Sequence, residues 1–123
     1  MRNDRCCPID PDMKEVWETE LRKDFDSLEN SNIGEIATLL KILSNPTRLK
    51  MVMLLLEGDY CVCELVQILN EKQNLISYNL GILKKHQVVV SYNRSMDKYY
   101  KLDSNGNSMP LIKYMNENLI IGF

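Results

Sequence analysis

Four cysteines hold the reactive chemistry of this 123-residue sequence. Cys6 and Cys7 are adjacent; Cys61 and Cys63 flank a valine in the stretch Asp59-Tyr60-Cys61-Val62-Cys63-Glu64-Leu65. Thiols near a helix start either pack, since free cysteine is among the most buried residue types, or form half of a metal site. Residues two apart on a helix point roughly 200° from each other, so one core face does not take both. A shared ligand takes both if Cys61 is extended just before the helix and Cys63 lies in its first turn. The positive end of the helix would favour thiolate, the form that binds metal. An even cysteine count also suits a secreted disulfide framework. Against that, the charged start Met1-Arg2-Asn3-Asp4-Arg5 is followed by no signal-peptide core, and no apolar run is long enough for a membrane span. The expectation is a cytoplasmic protein, without a membrane partner, whose thiols serve metal or redox chemistry.

Charge is the second resource. The net charge is -2, but it is unevenly spread. Residues 1–71 hold 8 Lys/Arg and 14 Asp/Glu, net -6, whereas residues 72–101 hold 6 and 1, net +5. Phosphate attraction depends on the local field, which decays over about 8 Å at physiological salt, so a basic block with acidic flanks suits a DNA-facing surface. The carboxylates of Glu15, Glu18, Glu20, Asp24 and Asp26 read as a solvated helix face. No Gly-rich phosphate loop, nucleophile elbow or Ser/His/Asp pattern is present. An enzyme is not expected, nor an organic cofactor. His86 is the single histidine and has no ligand neighbours in sequence.

The elements that must position these groups follow from period and punctuation. Residues 1–12, with Pro8 and Pro11 and no period, read as a flexible arm bearing Cys6 and Cys7, and residues 13–123 as a single domain. Apolar residues at 13, 16, 17, 21, 25 and 28 make one helical stripe in the segment Met13 to Glu29, where Trp17 is a packing residue. A second helix runs from Ile33 to about Leu43. Asn45 caps a third with Pro46 in its first position, and the apolar run Leu49 to Leu56 belongs in the core. Gly58 is expected to end it in the left-handed conformation.

Two short helices, Val62 to Asn70 and Asn74 to His86, form a helix-turn-helix over residues 62–86. Leu75, Ile76, Leu80 and Leu83 are expected to pack inward. Gln73, Asn74, Ser77, Tyr78, Gly81 and Lys84 face out, and one use for Gly81, which costs about 1 kcal/mol relative to Ala, is close approach to another backbone. Strands Val88 to Tyr92 and Lys98 to Leu102 make a hairpin through residues 93–97, a wing over 88–102. Ser108 caps a last helix, 108–120, a candidate for dimerisation because so short a chain has a small core. The predicted fold is mainly α with a small β-hairpin: a dimeric winged helix-turn-helix.

Four segments carry a resemblance. Leu43-Ser44-Asn45-Pro46-Thr47-Arg48-Leu49 resembles an "L-x-x-P-T-R-L" signature, and Glu57 to Leu65 an "E-x-C-V-C-[DE]-L" metal box. Gln73 to Leu83 is similar to "Q-x-x-[VI]-S-x-x-L-x-x-L", and Arg94 to Leu102 to a basic wing ending "Y-Y-x-L". In this order, across residues 33 to 103, they resemble the ArsR/SmtB family of metal-responsive repressors. Two departures stand out. Tyr78 and Asn79 replace the histidines often found after the recognition-helix serine, and Val66 stands where many arsenic sensors have a third cysteine.

The resemblance implies a homodimer that binds double-stranded operator DNA and releases it when a thiophilic ion fills the cysteines. Cys61 and Cys63 need further donors, because tetrahedral zinc or cadmium takes four ligands and arsenite typically three thiolates. Cys6 and Cys7 are the remaining thiols. One arm donor gives an arsenite-type site; two give a cadmium, lead or zinc site. Asn74, Ser77, Tyr78 and Asn79 are expected at base edges, with Gln73 beside them at the start of the helix, and Lys84, Lys85, Arg94 and Lys98 on phosphates. Two other readings stay open: a thiol-redox repressor of the same fold, and a protein-interaction module without DNA affinity.

Overall fold

The structure is a computed structural model that describes residues 7–123. The chain divides into two compact units between Ala37 and Thr38. In the first, helix α1 (Pro11–Glu29) starts two residues earlier than Met13. Asp10 accepts from the Asp12 backbone N–H at 3.0 Å, and Pro11 occupies the first turn, where its missing N–H is no loss. Residues 11 and 12 of the expected arm are therefore helical. No residue of α1 is buried: Met13, Val16, Phe25 and Leu28 are 53–60% exposed, and Trp17 is half-buried. Helix α2 (Ile33–Leu43) begins here and carries the chain into the second unit.

The second unit continues with α3 (Pro46–Glu57), β1 (Tyr60–Cys61), α4 (Val62–Leu69), α5 (Gln73–Lys85), β2 (Val89–Arg94), β3 (Asp97–Leu102) and α6 (Met109–Asn118). It is a winged helix-turn-helix, mainly α as expected. Asn45 caps α3 as its sequence suggests, accepting from the Arg48 N–H at 3.1 Å. Met51, Val52 and Leu55 of α3 meet Leu65 of α4, Ile76, Leu80 and Leu83 of α5, and Val88, Val89, Leu102 and Ile112 in one core. Each such side chain contributes about 1.5–3 kcal/mol through burial. Leu75, expected inside, is 39% exposed.

The sheet differs from a simple hairpin. Its order is β1-β3-β2, all antiparallel. Gly58 is extended (φ -176°, ψ 178°) rather than left-handed, because the chain leaves α3 straight into β1. The hairpin is also tighter than residues 93–97 implied. Asn93 pairs with Lys98 and Arg94 with Asp97, leaving a two-residue turn in which Ser95 takes the left-handed conformation (φ 55°). Asn70 ends α4 in the same region (φ 53°, ψ 44°), which asparagine tolerates. Ser108 precedes α6 without a side-chain capping bond, and its buried Oγ has no hydrogen-bond partner among the described residues. The helix stops at Asn118, short of residue 120, where the Leu119 and Ile120 N–H groups both donate to the Met115 carbonyl at 2.9 Å.

Two glycines give opposite expectations. Among the described residues, a Cβ at Gly81, mid-helix, would meet nothing within 4 Å beyond its own helix backbone; a Cβ at Gly106 would lie 2.6 Å from the Gln87 carbonyl oxygen. Gly81→Ala should stabilise the protein by about 1 kcal/mol, and Gly106→Ala should destabilise it by about 1–3 kcal/mol through overpacking. Urea unfolding of the two variants checks both signs.

Candidate nucleic-acid interface and thiol site

Helix α5 buries Ile76, Leu80 and Leu83 and turns Gln73, Asn74, Ser77 and Tyr78 outward, Tyr78 being 65% exposed. Lys84 and Lys85 are exposed in its last turn, where cations also complement the helix dipole. Lys84 Nζ donates to Ser91 Oγ of β2 at 2.8 Å, so the helix and the wing are joined at this point. On the wing, Arg94 and Lys98 are exposed. The Arg94 guanidinium lies 5.3 Å from the centroid of the Tyr99 ring. Lys101, absent from the sequence-derived set although it belongs to the basic block, is exposed with its ammonium 5.6 Å from the Tyr92 centroid. Lys72, which precedes α5 and is exposed, is a second such omission.

Asn79 is a correction. Expected at a base edge, it is buried at 2% exposure and its amide is committed within the chain. Its Nδ2 donates to the Leu75 carbonyl at 3.1 Å, while its Oδ1 accepts from Arg48 Nη1 at 2.9 Å. Arg48 Nε in turn donates to the Ile42 carbonyl at 2.7 Å. The residue thus fixes the inner side of α5 to the α2–α3 corner. Outward positions lie near 74, 77, 78 and 81, and one step from 78 to 79 turns the side chain about 100° into the core.

The thiol pair has the geometry its spacing suggests. Cys61 is the extended N-cap of α4 (φ -90°, ψ 169°), half-buried, and Cys63 is exposed in the first turn. Glu64 Oε1 accepts from the Cys61 backbone N–H at 3.0 Å, holding that corner. Cys61 is also a strand residue, paired with Tyr99 of β3 as Tyr60 is with Tyr100. Tyr92 Oη donates to Asp59 Oδ2 at 2.6 Å, and this hydrogen bond to the carboxylate holds the Tyr92 phenol above its ordinary value of 10.0. Cys7 is exposed in the first unit, and Cys6 lies outside the described residues. Among the described residues no three His, Cys, Asp or Glu side chains converge as a metal cradle. No helix among them is long and apolar enough to cross a membrane.

An outward polar helix, a basic two-stranded wing and a core sealed behind both define a winged helix-turn-helix regulator. The pattern of the family described as "Bacterial regulatory protein, arsR family" matches residues 45–90. The Arsenical resistance operon repressor of Staphylococcus xylosus is 30% identical over 87 residues, 71% of this chain and 79% of that one. The Biofilm growth-associated repressor of Xylella fastidiosa (strain Temecula1 / ATCC 700964) is 41% identical over 61 residues, 50% of each chain, so this chain spans about half the length of that relative. Among solved structures, the transcriptional repressor BigR from Xylella fastidiosa matches with a TM-score of 0.66 at 31% identity, over 80% of this chain and 92% of that one. The chain belongs to the arsR family of bacterial regulatory proteins, a family of regulators and not of enzymes.

The buried amide gives a direct expectation. Asn79→Ala should lower unfolding stability by about 1–3 kcal/mol, because the Arg48 guanidinium loses a partner in a half-buried site. Chemical denaturation measures this without DNA. A base contact on an exposed face would leave stability unchanged.

Proposed function

We propose that the chain is a homodimeric repressor in the cytoplasm that binds operator DNA through α5 and the wing and releases it when a thiophilic ion occupies its cysteines. The observation that carries this reading is the placement of both thiols at the N-terminus of α4, Cys63 exposed in its first turn and Cys61 half-buried in the edge strand of the sheet that forms the basic wing. Gln73, Asn74, Ser77 and Tyr78 would read base edges, while Lys84, Lys85, Arg94 and Lys98 would neutralise phosphates. The unburied apolar stripe of α1 in the first unit and, separately, Tyr114 and Leu119 of the second unit at 56% and 61% exposure each support pairing with a second copy.

Two thiolates do not complete a site for arsenite, cadmium, lead or zinc. Cys6 and Cys7 would supply the rest, from either protomer of the dimer. A relative that bears the name of an arsenical resistance operon repressor supports an ion of this soft class. The ion must bind the weakly DNA-binding conformer better, for otherwise it shifts nothing.

The experiment is operator binding by the reduced protein, with and without added ions. Cys61→Ser and Cys63→Ser should bind operator as the parent does and fail to release it; loss of binding without metal would make the thiols structural. Cys6→Ser and Cys7→Ser should differ strongly if one arm thiol completes an arsenite-type site, and be equally damaging if both ligate. Operator affinity should fall steeply with salt, and removal of Lys84, Lys85, Arg94 or Lys98 should each reduce the log-log slope by about 0.9. Absence of binding to any promoter fragment, its own included, would leave an interaction module instead.

A further inference from the structure

We infer that Tyr92 is the positioning residue through which the thiol pair controls the wing, acting by its hydrogen bond to Asp59. The inference rests on the thiol-responsive reading above and goes beyond it by assigning the route from Cys61 to the DNA-facing cations.

The thiol corner is linked to the wing. Tyr92 Oη donates to Asp59 Oδ2 at 2.6 Å, two residues ahead of Cys61. Cys61 pairs with Tyr99 on the neighbouring strand, and the Tyr99 and Tyr92 rings stack with centroids 6.1 Å apart and planes at 28°. Those two rings then sit beneath the wing cations, Arg94 at 5.3 Å from Tyr99 and Lys101 at 5.6 Å from Tyr92. Ser91, next to Tyr92, accepts from Lys84 at the end of α5 at 2.8 Å. One tyrosine therefore borders the carboxylate before the thiol box, the ring opposite Cys61, and the residue that joins the wing to the recognition helix.

The corner is built to yield. β1 is two residues long and lies at the sheet edge, held by two residue pairs, the Asp59–Tyr92 bond and the packing of Tyr60 against the core. Cys61 is shared between β1 and the N-cap of α4, so an ion that draws Cys61 and Cys63 onto itself pulls on this extended residue. That pull moves Asp59 and the β1 pairing together. Tyr92, held to Asp59, follows, and the aromatic seat of Arg94 and Lys101 shifts against α5. Without the phenol oxygen the box can close while the wing stays in its DNA-binding position.

The test uses the reduced full-length protein, a promoter fragment that the parent binds, and cadmium and arsenite in turn. Operator affinity is read by fluorescence anisotropy with and without ion, and ion affinity separately by thiolate-to-metal absorption. Tyr92→Phe keeps the ring stack and removes the hydrogen bond. It should bind operator without ion within about threefold of the parent and bind the ion equally well, while the ion-driven loss of operator affinity shrinks at least about fivefold from a parental factor of roughly 5–150. Asp59→Asn, whose amide oxygen can accept the same proton, should retain the parental response; Asp59→Ala should behave like Tyr92→Phe. A parental response in Tyr92→Phe overturns the route and leaves the sensor reading standing. Loss of ion-free operator binding in Tyr92→Phe also overturns it, making the tyrosine part of the DNA surface. A parent protein that binds operator but responds to neither ion overturns the sensor reading and this inference together.

Discussion

Two residue pairs, Tyr60 with Tyr100 and Cys61 with Tyr99, constrain the rest of the arrangement. Without them the thiol corner would be a loop between α3 and α4, tied to the wing by the Asp59–Tyr92 hydrogen bond. With them, the residue that caps α4 is also a strand residue, and it answers to two geometries at once: the extended conformation that β1 requires and the turn into a helix. Glu64 steadies the helix side by accepting from the Cys61 N–H, and Asp59 steadies the sheet side by accepting from Tyr92. A ligand on the thiols works against both restraints. On the proposed route, a change confined to this corner reaches the wing without crossing the core.

The recognition helix is restrained differently. Its apolar side is fixed by Ile76, Leu80 and Leu83, and its polar inner position by Asn79, which Arg48 ties to the Ile42 carbonyl. Removing one partner of such a buried pair costs more than the bond itself, because the other group stays desolvated. The helix is anchored in the core on its inner side, whereas the wing rests on two stacked rings and a two-residue edge strand. Lys84 and Ser91 connect them. On the proposed reading, affinity changes as the wing cations move relative to the outward face of α5.

Local signals in the sequence were faithful where local physics decides. Asn45 and Pro46 mark the start of α3, and the thiol spacing yields an extended Cys61 followed by Cys63 in a first turn, as found. Long-range partners were not legible. Asn79 reads as a polar face residue until Arg48, far back in the chain, is placed beside it. β1 has two residues, too few for any period, and its existence is what makes Gly58 extended instead of left-handed. The wing turn tightens because cross-strand pairing extends to Arg94 and Asp97, a cooperative gain that overrides the strain of a left-handed Ser95. Lys72 and Lys101 were visible in the charge count, but without a sheet register or a helix start their positions carried no role.

The central claim is a coupling between two sites, and coupling free energy is reciprocal. The most direct measurement is the affinity of the reduced protein for cadmium or arsenite, taken once free and once saturated with operator DNA, at one pH and salt. The account predicts that DNA weakens ion binding by the same factor by which the ion weakens DNA binding. Equal ion affinity with and without operator would contradict it, whatever the cysteines bind.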